Sequence, residues 1–188
     1  MTAPRDLQPG CRQLAGEVVD ALRDRGLTVA VAESLTGGLV MATLTEIVGV
    51  GDVLRGGAVT YATGTKAAEL GVDEGLLRDR GPIDPEVALA MARGVRSRWR
   101  SDVGVATTGV AGPEPQNGHP VGEVYIAVAD AVGDQVERLG PAPGLAPDSH
   151  LALQSVGGSA DSEQVRSLIR LATVRAALEL VRTRLGSL

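Results

Sequence analysis

"LTVAVAESLTGGLVMATLTEIVGV", residues 27–50, changes its hydrophobic rhythm halfway along. The first part, 27–32, is a short apolar run following Gly26 and reads as a buried strand. "ESLTGG", 33–38, is a tight glycine-containing turn. "LVMATLTEIVGV", 39–50, has helical spacing and predicts a helix ending near Gly49. Strand, tight turn and helix in immediate succession form the repeating unit of an α/β layered domain.

The flanking sequence extends that pattern. Before the strand, Leu14, Val18, Ala21 and Leu22 recur at helical spacing between about Gln8 and Arg25, and Gly26 closes the run as a C-terminal cap. After it, "GGAVTYA", 56–62, reads as a second strand. "TKAAELGV" reads as a short helix stopping at Gly71, and "DEGLLRDRG", 73–81, as another. Asp84 and Pro85 open a longer helix as N-cap and first helical residue. "DVGVATTGVAGP", 102–113, is a strand entering a glycine turn, and 123–139 is a hairpin turning at Gly133-Asp134. Residues 140–160 are rich in Pro, Gly, Ser and Ala and read as a mobile segment, with room for a short strand at Leu151–Gln154. Residues 161–185 form a long amphipathic helix with Val165, Leu168, Ile169, Ala172, Leu178 and Val181 on one side. Residues 1–8 read as a loose tail. Neither an internal repeat nor a second domain is visible, so 1–188 reads as one domain, and the hairpin makes its sheet mixed.

Composition narrows the function. The chain has 188 residues, of which 44% are hydrophobic, enough for one sizeable core. With no Phe, one Trp and two Tyr, that core is built from Val, Leu, Ala and Ile. A net charge of −5 argues against a nucleic-acid-binding face. "RGVRSRWR", 93–100, is the local exception and reads as a solvated helix end; a phosphate patch is the lesser alternative. Cys11 is the only cysteine, so no intramolecular disulfide forms, as expected of a cytoplasmic protein. The expectation includes no leader, no membrane span, no metal site and no cofactor. His119 and His150 lie far apart; His119 gains interest only if its polar loop, "EPQNGHPVGE", closes over a site.

The cations are unevenly chosen. Of 18 Lys plus Arg, only Lys66 is lysine. Arginine stays protonated and cannot act as a base, whereas a desolvated lysine can. Lys66 is thus a candidate general base; the plain alternative is a surface lysine at a helix start. "AESLTGG" places Ser34 between a strand end and a helix N-terminus, where free N–H groups of Gly37 and Gly38 can hold an oxyanion or phosphate. The alternative is that Ser34 or Thr36 merely caps the helix. "TGVAGP", 108–113, is a second such turn at another strand end, as a ligand crevice in an α/β sheet requires. Ser34 needs a base to become a nucleophile. A Ser34–Lys66 pair, with Tyr61 holding the lysine or relaying a proton, meets that need.

"AESLTGG", "TYATGTKAAELGV", "TTGVAGP" and "PVGEVYIAVA" together resemble the CinA C-terminal domain family in order and spacing, from about residue 10 to 130 and again in the final helix. The family includes stand-alone nicotinamide-nucleotide amidohydrolases, which cleave the carboxamide of nicotinamide mononucleotide to nicotinate mononucleotide and ammonia. The resemblance implies a three-layer α/β/α sandwich with a mixed, mainly parallel sheet. It implies a cytoplasmic homo-oligomer acting on a small nucleotide, without metal, nucleic acid or membrane. By it, Ser34 matches the nucleophile, Lys66 the base and Tyr61 the assisting tyrosine. The substrate-binding set becomes Glu33, Thr36, Gly37, Gly38, Thr108, Gly109, Ala111 and Gly112. The pyrophosphatase-like domain of longer members has no counterpart in these residues. Two positions depart from the pattern. Thr63 stands where the family usually has Asn, and "ADS", 160–162, stands where it usually has Gly-Asp-Arg, so that arginine is missing. A nucleotide-binding or sensor module that keeps the pocket without turnover is the alternative function.

Overall fold

The computed structural model describes residues 9–140 and 162–187. The elements are α1 (Pro9–Asp24), β1 (Val29–Glu33), α2 (Leu39–Thr45), β2 (Leu54–Val59), α3 (Thr63–Leu70), α4 (Glu74–Arg80), α5 (Pro85–Trp99), β3 (Val103–Gly109), β4 (Val124–Ala129), β5 (Asp134–Leu139) and α6 (Ser162–Gly186). A short 3-10 turn, Val50–Asp52, precedes β2. The sheet has five strands in the order β2-β1-β3-β4-β5. β1 lies parallel to both neighbours, and β4 lies antiparallel to both of its own. Only β4 is reversed, so the sheet is mixed and mainly parallel.

Period-two alternation assigns the two faces. Val29 and Val31 of β1, Val103 and Val105 of β3, and Val124, Ile126 and Val128 of β4 enter one core with residues of α1, α2 and α6. Their alternates Ala30, Ala32, Ala106, Ala127 and Ala129 enter a second core with Val87, Met91 and Val95 of α5. The choice of Val on one face and Ala on the other has a steric reason. α5 lies so close to β3 that a Cβ on Gly104 would sit 2.1 Å from the Ala92 carbonyl oxygen. The result is the three-layer α/β/α sandwich.

Local signals position the helices. Asp84 accepts a hydrogen bond from the Glu86 N–H at 2.8 Å, with Pro85 at the first helical position. Gly71 caps α3 in the left-handed conformation. α6 is fastened near its C-terminus by Arg184, whose guanidinium donates to both carboxylate oxygens of Asp130 at 2.6 and 3.0 Å.

Several expectations shift. α2 ends at Thr45, not near Gly49, because the chain tightens to an i→i−3 bond from Ile47 to Leu44 and then adopts φ 79° at Gly49. β2 begins two residues earlier than expected and ends at Val59, leaving Thr60 and Tyr61 beyond it. On α6, Leu168 is exposed, while Thr173, Val174 and Ala177 are buried. Three of the four arginines of 93–100 are committed locally. Arg93 pairs with Asp134, Arg98 with Glu69, and Arg96 donates to the carbonyls of Asp102 and Asp130. They form no free anion patch. The loose tail 1–8 and the Leu151–Gln154 strand lie outside the described residues, as does nearly all of the 140–160 segment. Among the described residues no helix is long and apolar enough to cross a membrane, and no cluster of His, Cys, Asp and Glu could hold a metal ion.

Candidate active site

β1 and β3 run in register, with Glu33 beside Thr107, so the turns that follow them meet at one edge of the sheet. Between these turns lies an open cleft. Its walls include Ser34 and Leu35 from the first turn, Thr108 to Gly112 from the second, Tyr61 and Thr63 beyond β2, and Arg166 from α6.

Ser34 stands at the cleft and Lys66 behind it. The Ser34 N–H donates to the Thr107 carbonyl at 3.0 Å, which ties the serine to the end of β3. Lys66, on the first turns of α3, is fully buried. Its Nζ donates to Ser34 Oγ at 3.1 Å and to the Thr60 carbonyl at 2.6 Å. Burial alone, with no neighbouring charge, pushes its pKa down from 10.5 to about 8. Ser34 and Lys66 are 32 positions apart in sequence, and the parallel pairing of β1 with β2, Glu33 beside Val59, brings the start of α3 to the turn after β1.

Tyr61 corrects the sequence reading. It lines the cleft, yet its hydroxyl accepts from Arg166 Nη2 at 2.9 Å and makes no bond to Lys66. The residue that holds the lysine is its neighbour Thr60. Because β2 ends at Val59, the Thr60 carbonyl is free of the sheet ladder and turns to the amine.

The first turn is also used differently from expectation. The Gly37 N–H donates to the Ser34 carbonyl at 3.1 Å, and the Gly38 N–H to a Glu33 carboxylate oxygen at 2.9 Å. These two amides are therefore committed inside the turn and do not face the cleft. Glu33, fully buried, also accepts from the Val40 and Met41 N–H groups at 3.1 and 2.9 Å. A carboxylate thus satisfies the N-terminal amides of α2, which is where the helix dipole favours one. It is a cap reaching back from the strand, not a substrate ligand. Thr36 is buried, with Oγ1 2.8 Å from Thr107 Oγ1, and does not line the cleft. Among the described residues, the N–H groups of Leu35, Ala111 and Gly112 have no protein partner, and all three residues line the cleft.

The second turn stands at the cleft. Thr108, Gly109, Ala111 and Gly112 all line the cleft. Thr108 Oγ1 donates to the Pro82 carbonyl at 2.6 Å, binding the turn to the loop before α5. Gly109 must lack a side chain, because a Cβ there would lie 2.5 Å from the Glu123 carbonyl oxygen. The polar loop 113–122 contributes Glu114 and Gln116 to the walls. His119 does not enter; its Nδ1 is 3.1 Å from a Glu123 carboxylate oxygen.

Two arginines of α6 went unread in the sequence. Arg166 donates to the Gly112 carbonyl at 2.6 Å as well as to Tyr61, joining the second turn to the segment beyond β2. Arg170, one helical turn later, donates to the carbonyls of Leu35 and Thr36 at 3.1 and 2.8 Å. The missing arginine of "ADS" therefore does not leave the cleft without a cation. Ala160 and Asp161 lie outside the described residues, but Arg166 brings a guanidinium to the wall.

Fold and site define a class: an α/β/α sandwich in which a serine at a strand-end cleft is backed by one buried lysine. The CinA C-terminal domain model matches residues 11–140, and the chain belongs to that family. It is 50% identical over 134 residues to a CinA-like protein of Frankia casuarinae, covering 71% of this chain and 31% of that one. The chain thus spans under a third of the length of the curated relatives it matches. Over 99% of both chains it is similar to the competence/damage inducible protein CihA of Agrobacterium tumefaciens, with 33% identity and a TM-score of 0.78. A CinA superfamily protein of Klebsiella pneumoniae, 24% identical with a TM-score of 0.77, shares the fold.

Proposed function

We propose that this protein is an amidohydrolase that cleaves the carboxamide of nicotinamide mononucleotide through a Ser34–Lys66 acyl-enzyme. The observation that carries the reading is the 3.1 Å contact between Ser34 Oγ at the cleft and the buried Nζ of the sole lysine. A serine needs an adjacent base, and a desolvated lysine with a pKa of about 8 is neutral in a useful fraction near pH 7–8. Lys66 takes the Ser34 proton as Oγ attacks the carboxamide carbon. The unpartnered N–H groups of Leu35 and of the Ala111–Gly112 turn are the donors for the developing oxyanion, in place of Gly37 and Gly38. The proton then passes from Lys66 to the departing nitrogen, ammonia leaves, and water attacks the acyl-enzyme with the same base. Arg166 offers a planar bidentate donor suited to a phosphate.

A sensor without turnover is the rival reading, drawn from the absent Gly-Asp-Arg arginine; in favour of the enzyme, Arg166 brings a guanidinium to the cleft wall. Ammonia release from nicotinamide mononucleotide by the purified protein tests the reading. Stoichiometric nicotinate mononucleotide is expected. Saturable binding without ammonia would establish the sensor instead.

A further inference from the structure

Thr60 carries an unexplained atom. The residue is fully buried, and its Oγ1 is the one buried side-chain nitrogen or oxygen without a hydrogen-bond partner among the described residues. A buried hydroxyl left unpaired is costly, and a valine of the same shape would avoid the cost. Its backbone is fixed on both sides. The Thr60 N–H donates to the Glu33 carbonyl at 2.8 Å, and its own carbonyl accepts from Lys66 Nζ.

Lys66 is incomplete in the complementary sense. A protonated amine has three N–H donors, and Nζ has two acceptors, Ser34 Oγ and the Thr60 carbonyl. An unpaired acceptor and an ammonium one acceptor short thus occur on two residues already in contact. Rotation about the Thr60 Cα–Cβ bond moves Oγ1 between staggered positions without disturbing the carbonyl.

We propose that the Thr60 hydroxyl is the third acceptor of the Lys66 ammonium, engaged when Lys66 takes the proton from Ser34. In that step the Ser34 O–H bond breaks, an N–H bond forms on Nζ, and the positive charge appears in a buried site. Thr60 then accepts two of the three N–H groups, one through its carbonyl and one through Oγ1. The third N–H stays aimed at Ser34, from where it reaches the departing nitrogen. Thr60 is a positioning residue: it touches the base and not the substrate. The other ionisable groups around Lys66 are committed elsewhere. Glu33 caps α2, Tyr61 accepts from Arg166, Glu69 of α3 pairs with Arg98 of α5, and no charge shifts the lysine. The kinetic part of the inference rests on the amidohydrolase reading; the part concerning the amine does not.

Because Lys66 is the only lysine, labelling lysine with 13C and 15N yields one side-chain signal that titrates without ambiguity. In Thr60→Val the ammonium loses an acceptor, so the Lys66 pKa should fall by about half a unit or more. Thr60→Ser should restore it. At pH 9–10, where Lys66 is mostly neutral and the hydroxyl has no ammonium to accept from, Thr60→Val should unfold at the same or a higher temperature than the wild type, because an unpaired buried hydroxyl has been replaced by a methyl. Turnover should fall about 10- to 100-fold in kcat with KM little changed, and the acid limb of the pH profile should follow the amine. Thr60→Ala carries the same titration test if the valine variant folds poorly. An unshifted Lys66 titration in both Val and Ala variants, or a serine variant that fails to restore it, overturns the inference. A shifted titration in a protein that releases no ammonia leaves the inference standing and removes the amidohydrolase reading alone.

Discussion

Asp130 and Lys66 are both buried, at opposite ends of the sheet, and their surroundings differ. Asp130 follows β4 where β3 begins; Lys66 sits where β1 and β3 end. Asp130 accepts two bonds from Arg184 and two more from the Val132 and Gly133 N–H groups. The Arg184 hydrogen bonds hold its pKa down at about 2. Among the described residues Lys66 has no counter-ion, and desolvation moves its pKa against its charged form. α6 serves both ends, Arg184 as an ion-pair partner and Arg166 and Arg170 as clamps on the turns. One end is arranged for stability. The other holds a lysine without a counter-ion among the described residues and an unpaired hydroxyl, which suits the proton transfer proposed above.

The contrast breaks most sharply at the nucleophile. Ser34→Ala should lower turnover by about 10⁴-fold while nucleotide affinity stays within a few-fold, since the nucleophile acts in the transition state. Turnover within tenfold of wild type would remove the covalent mechanism. Lys66→Arg should be about as damaging as Lys66→Ala, roughly 10³-fold, because arginine keeps the charge and cannot give up its proton. Near-normal activity in the arginine variant would recast Lys66 as a phosphate ligand.

Two stability measurements sharpen the same contrast. Asp130→Asn strands the Arg184 charge and should cost about 3 kcal/mol in denaturant unfolding at pH 7. Because the folded pKa of Asp130 is depressed, its contribution is complete above about pH 4 and is lost as pH falls through about 2. Variant and wild type should therefore converge in acid. Lys66→Met should have the opposite sign, a gain of up to roughly 3 kcal/mol below pH 8. Between pH 8 and 10.5 the unfolded chain binds more protons than the folded one, so wild-type stability rises with pH and the gain shrinks.

Much of this was legible in the sequence, for identifiable reasons. The apolar run 27–32 and the two glycine turns mark strands ending at one crevice, and a single lysine among arginines singles out Lys66. What was not legible depends on tertiary contact. Gly37 and Gly38 read as free amides because nothing local shows Glu33 folding back onto α2. Tyr61 reads as the lysine's partner because a strand running to residue 62 extends three residues past the end of β2 and hides the Thr60 carbonyl. Arg166 and Arg170 lie about 130 residues beyond the Ser34 turn on a helix whose charged face looks ordinary. Only the packing of α6 across that turn brings them to the cleft.

The central claim is that Lys66 is a buried base with a lowered pKa, and one signal reports it. The protein with 13C,15N-labelled lysine gives a single side-chain amine resonance, to be followed from pH 6 to 11 alongside kcat/KM. One titration with a midpoint of about 8 is expected, coincident with the acid limb of activity. A midpoint near 10.5, the ordinary lysine value, would contradict it.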